Sequence, residues 1–228
     1  MSGLPPPAPI PEIEAPITSE RFDEIRETTL PVVMRRLVAD WPAVHATQQG
    51  DEAICDYLTQ RAVNRPVNAI AAPPNARGRF FYHEDLRSLN FVNGSGHLRA
   101  FLADLLKAKV VDAPPAMAVQ SEELSHVAPQ FLTENALEIL PAVMPRIWIG
   151  NRISVAPHYD AKENVACCVA GRRRFTLFPP NRTADLYPGP FELTPAGTPI
   201  SLVDLAAPDL DRFPRFAEAW QDAQQATL

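Results

Sequence analysis

Cysteine is scarce. The chain has three in 228 residues, Cys55, Cys167 and Cys168. The number is odd and two are adjacent, which argues against a disulfide framework. A C-x-x-C spacing is also missing, so a cysteine-based zinc site is not expected. Long apolar runs are lacking too: no window approaches the roughly 18 apolar residues that a membrane span needs. The N-terminus lacks the basic start and apolar stretch of a secretory signal. Basic charge is in deficit, with 21 Lys and Arg against 27 Asp and Glu and a net charge of −6. Non-specific nucleic-acid binding needs the opposite balance. These absences predict a soluble cytoplasmic protein with no nucleic-acid or membrane partner, its thiols serving as small apolar side chains.

Proline is abundant, at 25 residues. Pro5, Pro6, Pro7, Pro9, Pro11 and Pro16 mark residues 1–17 as an extended, weakly ordered, flexible tail. The remainder, with an ordinary balance of apolar and charged residues, predicts a single domain over 18–228. Within it, 18–145 reads as a mixed helix and strand region. Helices are expected at 18–30, 51–61, 96–109 and 129–140, and strands at 32–38, 66–71, 79–82 and 116–120. From Arg146 the pattern changes to short β-branched and aromatic runs broken by Gly and Pro. Strands are expected at 146–149, 152–157, 164–170 and 172–178, the last two as a hairpin across Gly171. A long loop over 180–211 and a final helix over 212–225 complete the expected layout. Trp41, Trp148, Phe175 and Trp220 read as packing residues, and Lys162 and Glu163 as a solvated pair.

The stretch His158-Tyr159-Asp160 carries the chemistry. Side chains two apart on an extended chain point the same way. One imidazole nitrogen and one carboxylate oxygen can then share a metal ion, and a distant His would complete the three-ligand facial set of non-haem iron sites. Around this pair stand Asn164, Gly171-Arg-Arg173-Arg174-Phe-Thr-Leu-Phe-Pro179-Pro180 and Leu186-Tyr187-Pro188. In that order the motifs, spanning about 146–190, resemble the JmjC and cupin-like family of iron(II)- and 2-oxoglutarate-dependent oxygenases. The resemblance is greatest to the branch containing the asparaginyl hydroxylase factor-inhibiting HIF.

The resemblance implies an α+β, mainly β fold, a double-stranded β-helix preceded by the helix and strand region. It implies a dioxygenase, by default a hydroxylase, with Fe(II) as metal and 2-oxoglutarate as co-substrate. His158 and Asp160 match two iron ligands, and Asn164 matches a co-substrate contact. Arg173 stands where many members use a Lys for the far carboxylate of 2-oxoglutarate, a role that a guanidinium can fill with two parallel hydrogen bonds. Alternation along the strand would turn Arg173 inward and Arg172 and Arg174 outward. Val155 and Ala118 replace a Thr and a Tyr that some members use to bind the co-substrate. The family's third ligand is a His on a later strand. After His158 this sequence has none, the others being His45, His83, His97 and His126. A β-helix of this type needs eight core strands and about four are expected here, so it is expected to be incomplete at the C-terminus, as in a truncated chain or one completed by a second copy in a homodimer. The substrate, a protein or a small molecule, stays open. Two other readings also stand: a non-catalytic binding module, and a module acting through protein–protein assembly.

Overall fold

The computed structural model describes residues 3–228. The N-terminal segment is extended, as its prolines require, and it is also paired. β1 (Ala8–Pro9) lies in one sheet and β2 (Glu12–Glu14) in another, with buried Ile10 between them. Pro5 accepts a hydrogen bond from the Trp220 indole at 2.6 Å, so residues expected in a loose tail lie against the C-terminal part of the chain. α1 (Ser19–Glu27) starts where the Thr18 hydroxyl accepts from the Arg21 amide, a side-chain cap for a free helical N–H. β3 (Val33–Arg35) pairs in parallel with β2.

Two helices follow, α2 (Pro42–Gln48), with proline at its first position, and α3 (Asp51–Arg61), which buries Ile54 and Leu58. β4 (Pro66–Ala72) leads through a long excursion to β5 (Val92–His97), α4 (Leu98–Ala108) and β6 (Ala116–Glu123). α4 buries Leu98, Phe101 and Leu102 at helical spacing. Two short helices, α5 (Leu124–Val127) and α6 (Pro129–Glu134), precede β7 (Arg146–Gly150). These strands form one antiparallel sheet in the order β5-β4-β6-β7.

One face of this sheet carries Val67 and Val119, which join α2, α3, α4 and α6 in the largest core cluster; Ile147 and Ile149 pack against it. The opposite face carries Ile70, Ala72, Ala116 and Ala118, which Phe80 covers over part of its area. Trp148 lies outside that cover and is 49% exposed, against its expected role in packing. At the edge of the core the Tyr57 hydroxyl and the Arg61 guanidinium both donate to the Glu134 carboxylate.

The second sheet has three strands in the order β1-β9-β8, with β8 at Arg174–Leu177 and β9 at Gln224–Thr227. Before β9 comes α7 (Phe216–Gln221), whose Phe216 and Ala219 are fully buried beside Val203 and Phe213. Here the structure corrects four expectations. The strands at 152–157 and 164–170 do not form, apart from a single bridge between Ser154 and Arg79. The hairpin across Gly171 is replaced by antiparallel pairing of β8 with β9. The final helix is shorter than expected and yields to β9. The loop over 180–211 contains a 3₁₀ helix at Pro180–Leu186. The strand differences share a physical reason. A strand is made by its partner, and an apolar run without a ladder neighbour packs by its side chains instead. Val169 does this, resting on the large core while its carbonyl accepts from the Thr47 hydroxyl at 3.1 Å.

The architecture is an α+β fold with a dominant antiparallel sheet. No helix among the described residues is long and apolar enough to cross a membrane.

Candidate metal centre

The segment that follows β7 is irregular and hung on backbone ties. Ser154 donates to the Gly78 carbonyl at 2.8 Å, and Ser201 donates to the Pro157 carbonyl at 2.7 Å. Ala156, between these ties, is buried beside Tyr82 and Ile200. His158 and Asp160 emerge just beyond, on the exposed side.

The His158 Nδ1 lies 2.9 Å from the Ala156 carbonyl oxygen. A carbonyl can only accept, so Nδ1 carries a proton, and in the neutral ring Nε2 then keeps its lone pair. The Asn164 amide donates to Oδ2 of Asp160 at 2.8 Å. The other carboxylate oxygen, Oδ1, lies 3.8 Å from the His158 Nε2. That separation is too long for a hydrogen bond and shorter than roughly 4 Å, the span of two ordinary metal–ligand bonds. Each side chain is thus held through one atom and offers the other to a shared point.

His158, Asp160 and Asn164 are brought together. Arg173 makes no hydrogen bond or ion pair with any of them. Its backbone exchanges hydrogen bonds with Leu228 at 3.0 and 2.9 Å, and its guanidinium carbon sits 5.3 Å from the centre of the Phe175 ring. Arg172, Arg173 and Arg174 are all exposed, so the expected split into one inward and two outward arginines is not seen. Val155 is exposed, and Ala118 is buried in β6 under the partly covered face.

The other histidines lie elsewhere. His45 is in α2, His97 closes β5, and His83 lines a shallow groove with Leu89 and Phe91. His126 lies 3.5 Å from the Glu123 carboxylate. No group of three His, Cys, Asp or Glu side chains among the described residues could hold a metal ion. The residues present therefore fit two positions of the iron site that the motif resemblance implies and do not assemble a third.

Two features of the site had no sequence signal. The Ala156 carbonyl, which fixes the imidazole, is a backbone group. Glu163, expected in a solvated pair with Lys162, instead accepts two hydrogen bonds from Arg26 at 2.9 and 2.8 Å, across 137 residues of chain. Burial pushes the Cys167 thiol up to about 11, with the neighbouring Cys168 adding to it. The Cys168 thiol is also raised, mainly by burial and partly offset by Arg173.

Jumonji C domain-containing protein 5 of Drosophila melanogaster is 27% identical over 214 residues, covering 92% of this chain and 50% of that protein. Lysine-specific demethylase JMJ31 of Arabidopsis thaliana is 26% identical over 242 residues, 94% of this chain and 44% of its own length. The human bifunctional peptidase and (3S)-lysyl hydroxylase JMJD7 is 25% identical over 222 residues, 83% of this chain and 65% of that protein. The chain spans about half the length of the first two of these relatives. Residues 18–228 match the family model described as a cupin-like domain, and the chain belongs to that family.

Proposed function

We propose that this chain is the metal- and co-substrate-binding domain of an iron(II)- and 2-oxoglutarate-dependent oxygenase. The observation that carries the reading is the convergence of the free Nε2 of His158 and the free Oδ1 of Asp160, each side chain held through its other atom. Iron and 2-oxoglutarate, when bound, would supply the oxidation of a substrate C–H bond to an alcohol. The chain's own residues orient and bind. Ala156 fixes the imidazole tautomer and Asn164 fixes the carboxylate. In this reading Asn164 also reaches the co-substrate, and the exposed Arg173 takes the far carboxylate of 2-oxoglutarate. The layout of the asparaginyl hydroxylase branch guides these assignments. Two relatives are named for chemistry on lysine, so a protein side chain is the substrate class to test first.

The test is succinate release coupled to oxygen uptake, with Fe(II) and 2-oxoglutarate supplied. Turnover that disappears in His158→Ala supports the reading. Absence of turnover in the presence of measurable iron and 2-oxoglutarate binding would overturn it. A second reading, a non-catalytic binding module, is favoured by one observation: the described residues bring together two metal donors rather than three. Binding of 2-oxoglutarate without succinate formation is the result that reading expects.

A further inference from the structure

We infer that the outer edge of β5 is a docking site for an extended peptide, which joins the large sheet as an added strand and places one apolar side chain in the groove beside Val92. The hydrogen-bond parity of the sheet leaves that edge free. Met117 donates to the Asn151 side chain and accepts from the Asn151 amide, both on the β7 side. Ala116 and Ala118 therefore turn their backbone groups toward β4, where Ala72 and Ile70 meet them. The Asn68 amide agrees, since it donates to Glu122 of β6. Ala69 and Ala71 then face β5, opposite Gly94 and Val92. By the same alternation the N–H and C=O groups of Asn93 and Ser95 point outward. Among the described residues no backbone group outside the sheet bonds to them, and all of β5 is exposed.

The sequence of β5 lacks the usual guards of an open edge, which are lysine, proline and bulges. Val92-Asn-Gly-Ser-Gly-His97 has no lysine or proline, and its register with β4 is unbroken. Gly94 and Gly96 stand opposite Ala69 and Val67, and neither has a positive φ. An added Cβ would lie 4.0 Å from the Ala69 carbonyl oxygen at Gly94 and meet nothing within 4 Å at Gly96. Neither packing nor backbone conformation requires glycine there, although glycine weakens a strand interior. Its other use in strands is to let a second backbone approach closely. At the start of β5, Pro73, Leu89, Phe91, Val92 and Pro115 line the shallow apolar groove. A row of free main-chain groups and an adjoining side-chain pocket are the two parts of peptide recognition by strand addition. A second copy fits less well. Pairing over six residues buries only part of the roughly 1,200 Å² that a stable protein pair needs.

The experiment is selection of a random short-peptide display library on the immobilised 228-residue chain, followed by affinity measurement with synthetic copies of the enriched peptides. The enriched peptides should share one apolar residue, and their binding should slow amide exchange at Asn93 and Ser95. Ser95→Pro deletes an N–H that faces away from β4, a place where an edge strand tolerates proline, so circular dichroism and the urea midpoint should hold. It should weaken the peptides roughly tenfold or more. Val92→Asp, which charges the rim of the groove, should weaken them as well. Failure to enrich any peptide, or equal affinity for Ser95→Pro and the parent chain, would overturn the inference. Unchanged exchange at Asn93 and Ser95 would overturn it whatever the variants do. Self-association that Ser95→Pro abolishes would also overturn it, since the edge would then be taken by a second copy.

Discussion

Residues 42–150 and residues 151–212 are built on different principles. The first region is a four-stranded antiparallel sheet with helices on one face and a core that includes Leu98, Leu102 and Val119, each no more than 1% exposed. The second carries His158 and Asp160 on chain with one short strand and one 3₁₀ helix. Ties to the first region include Ser154 to Gly78, Asn151 to Met117, Arg79 to Leu202 and Val203, and Thr47 to Val169, and Arg26 of α1 reaches Glu163. The largest core cluster lies in the first region and the candidate metal donors in the second. Loops positioned by a rigid scaffold can present unsatisfied donors that a packed core would have to satisfy internally.

This contrast can be broken most forcefully from the scaffold side. Leu102→Ala removes a side chain that is 1% exposed in the main cluster. It should cost about 3 kcal/mol in urea denaturation, through lost burial and a residual cavity. A loss below about 1 kcal/mol would show that the core does not carry the fold. Next comes the joint between the regions. Gly78 has φ +82, and an added Cβ would stand 2.5 Å from the Arg152 carbonyl oxygen. Gly78→Ala should therefore cost about 1–3 kcal/mol, because the backbone conformation and the clash both oppose it. It should also raise amide exchange at Ser154. Unchanged exchange there would mean that the second region does not depend on this tie.

A subtler division concerns pH. Glu134 is held down to about 2, by the Arg61 guanidinium first and the Tyr57 hydroxyl second. A depressed carboxyl contributes stability that is present above its unfolded value near 4.3 and is lost as pH falls toward 2. The urea midpoint should thus drop between pH 5 and about 2. Glu134→Gln should flatten that slope and leave the ordering of Asn164 and Asp160 untouched. An equal slope in the variant would place the acid sensitivity elsewhere. The smallest expected effect is chemical. With its thiol near 11, Cys167 should react with a disulfide reagent far more slowly at pH 8 than a free thiol does. Fast labelling in the folded chain would show that the second region opens readily.

The same division governs what the sequence revealed. Helices with a clean apolar stripe, such as Asp51–Arg61 and Leu98–Ala108, were legible because local periodicity and burial agree. The strands at 66–72 and 146–150 were legible for the same reason. β5 was not: Val92-Asn-Gly-Ser-Gly-His97 has no apolar alternation, and only its partner β4 makes it a strand. β9, Gln224-Gln-Ala-Thr227, is hidden in the same way, because its place between β1 and β8 is a long-range fact. At the candidate site, the closeness of His158 and Asp160 was readable from their spacing. The Ala156 carbonyl is a backbone group two residues from His158 that no side-chain pattern marks, and the Arg26–Glu163 bridge depends on a chain return that no local pattern encodes.

The central position of β9 also has a consequence for the order of events during synthesis. The four-stranded sheet has all its strands once Gly150 is made, whereas the three-stranded sheet, joining residues 8–9, 174–177 and 224–227, waits for Thr227. At ribosomal rates of roughly 5–20 residues per second, the 77 residues from 150 to 227 take on the order of 4–15 s. For that interval the nascent chain holds a finished scaffold, while β1 and β8 still lack the strand that will lie between them.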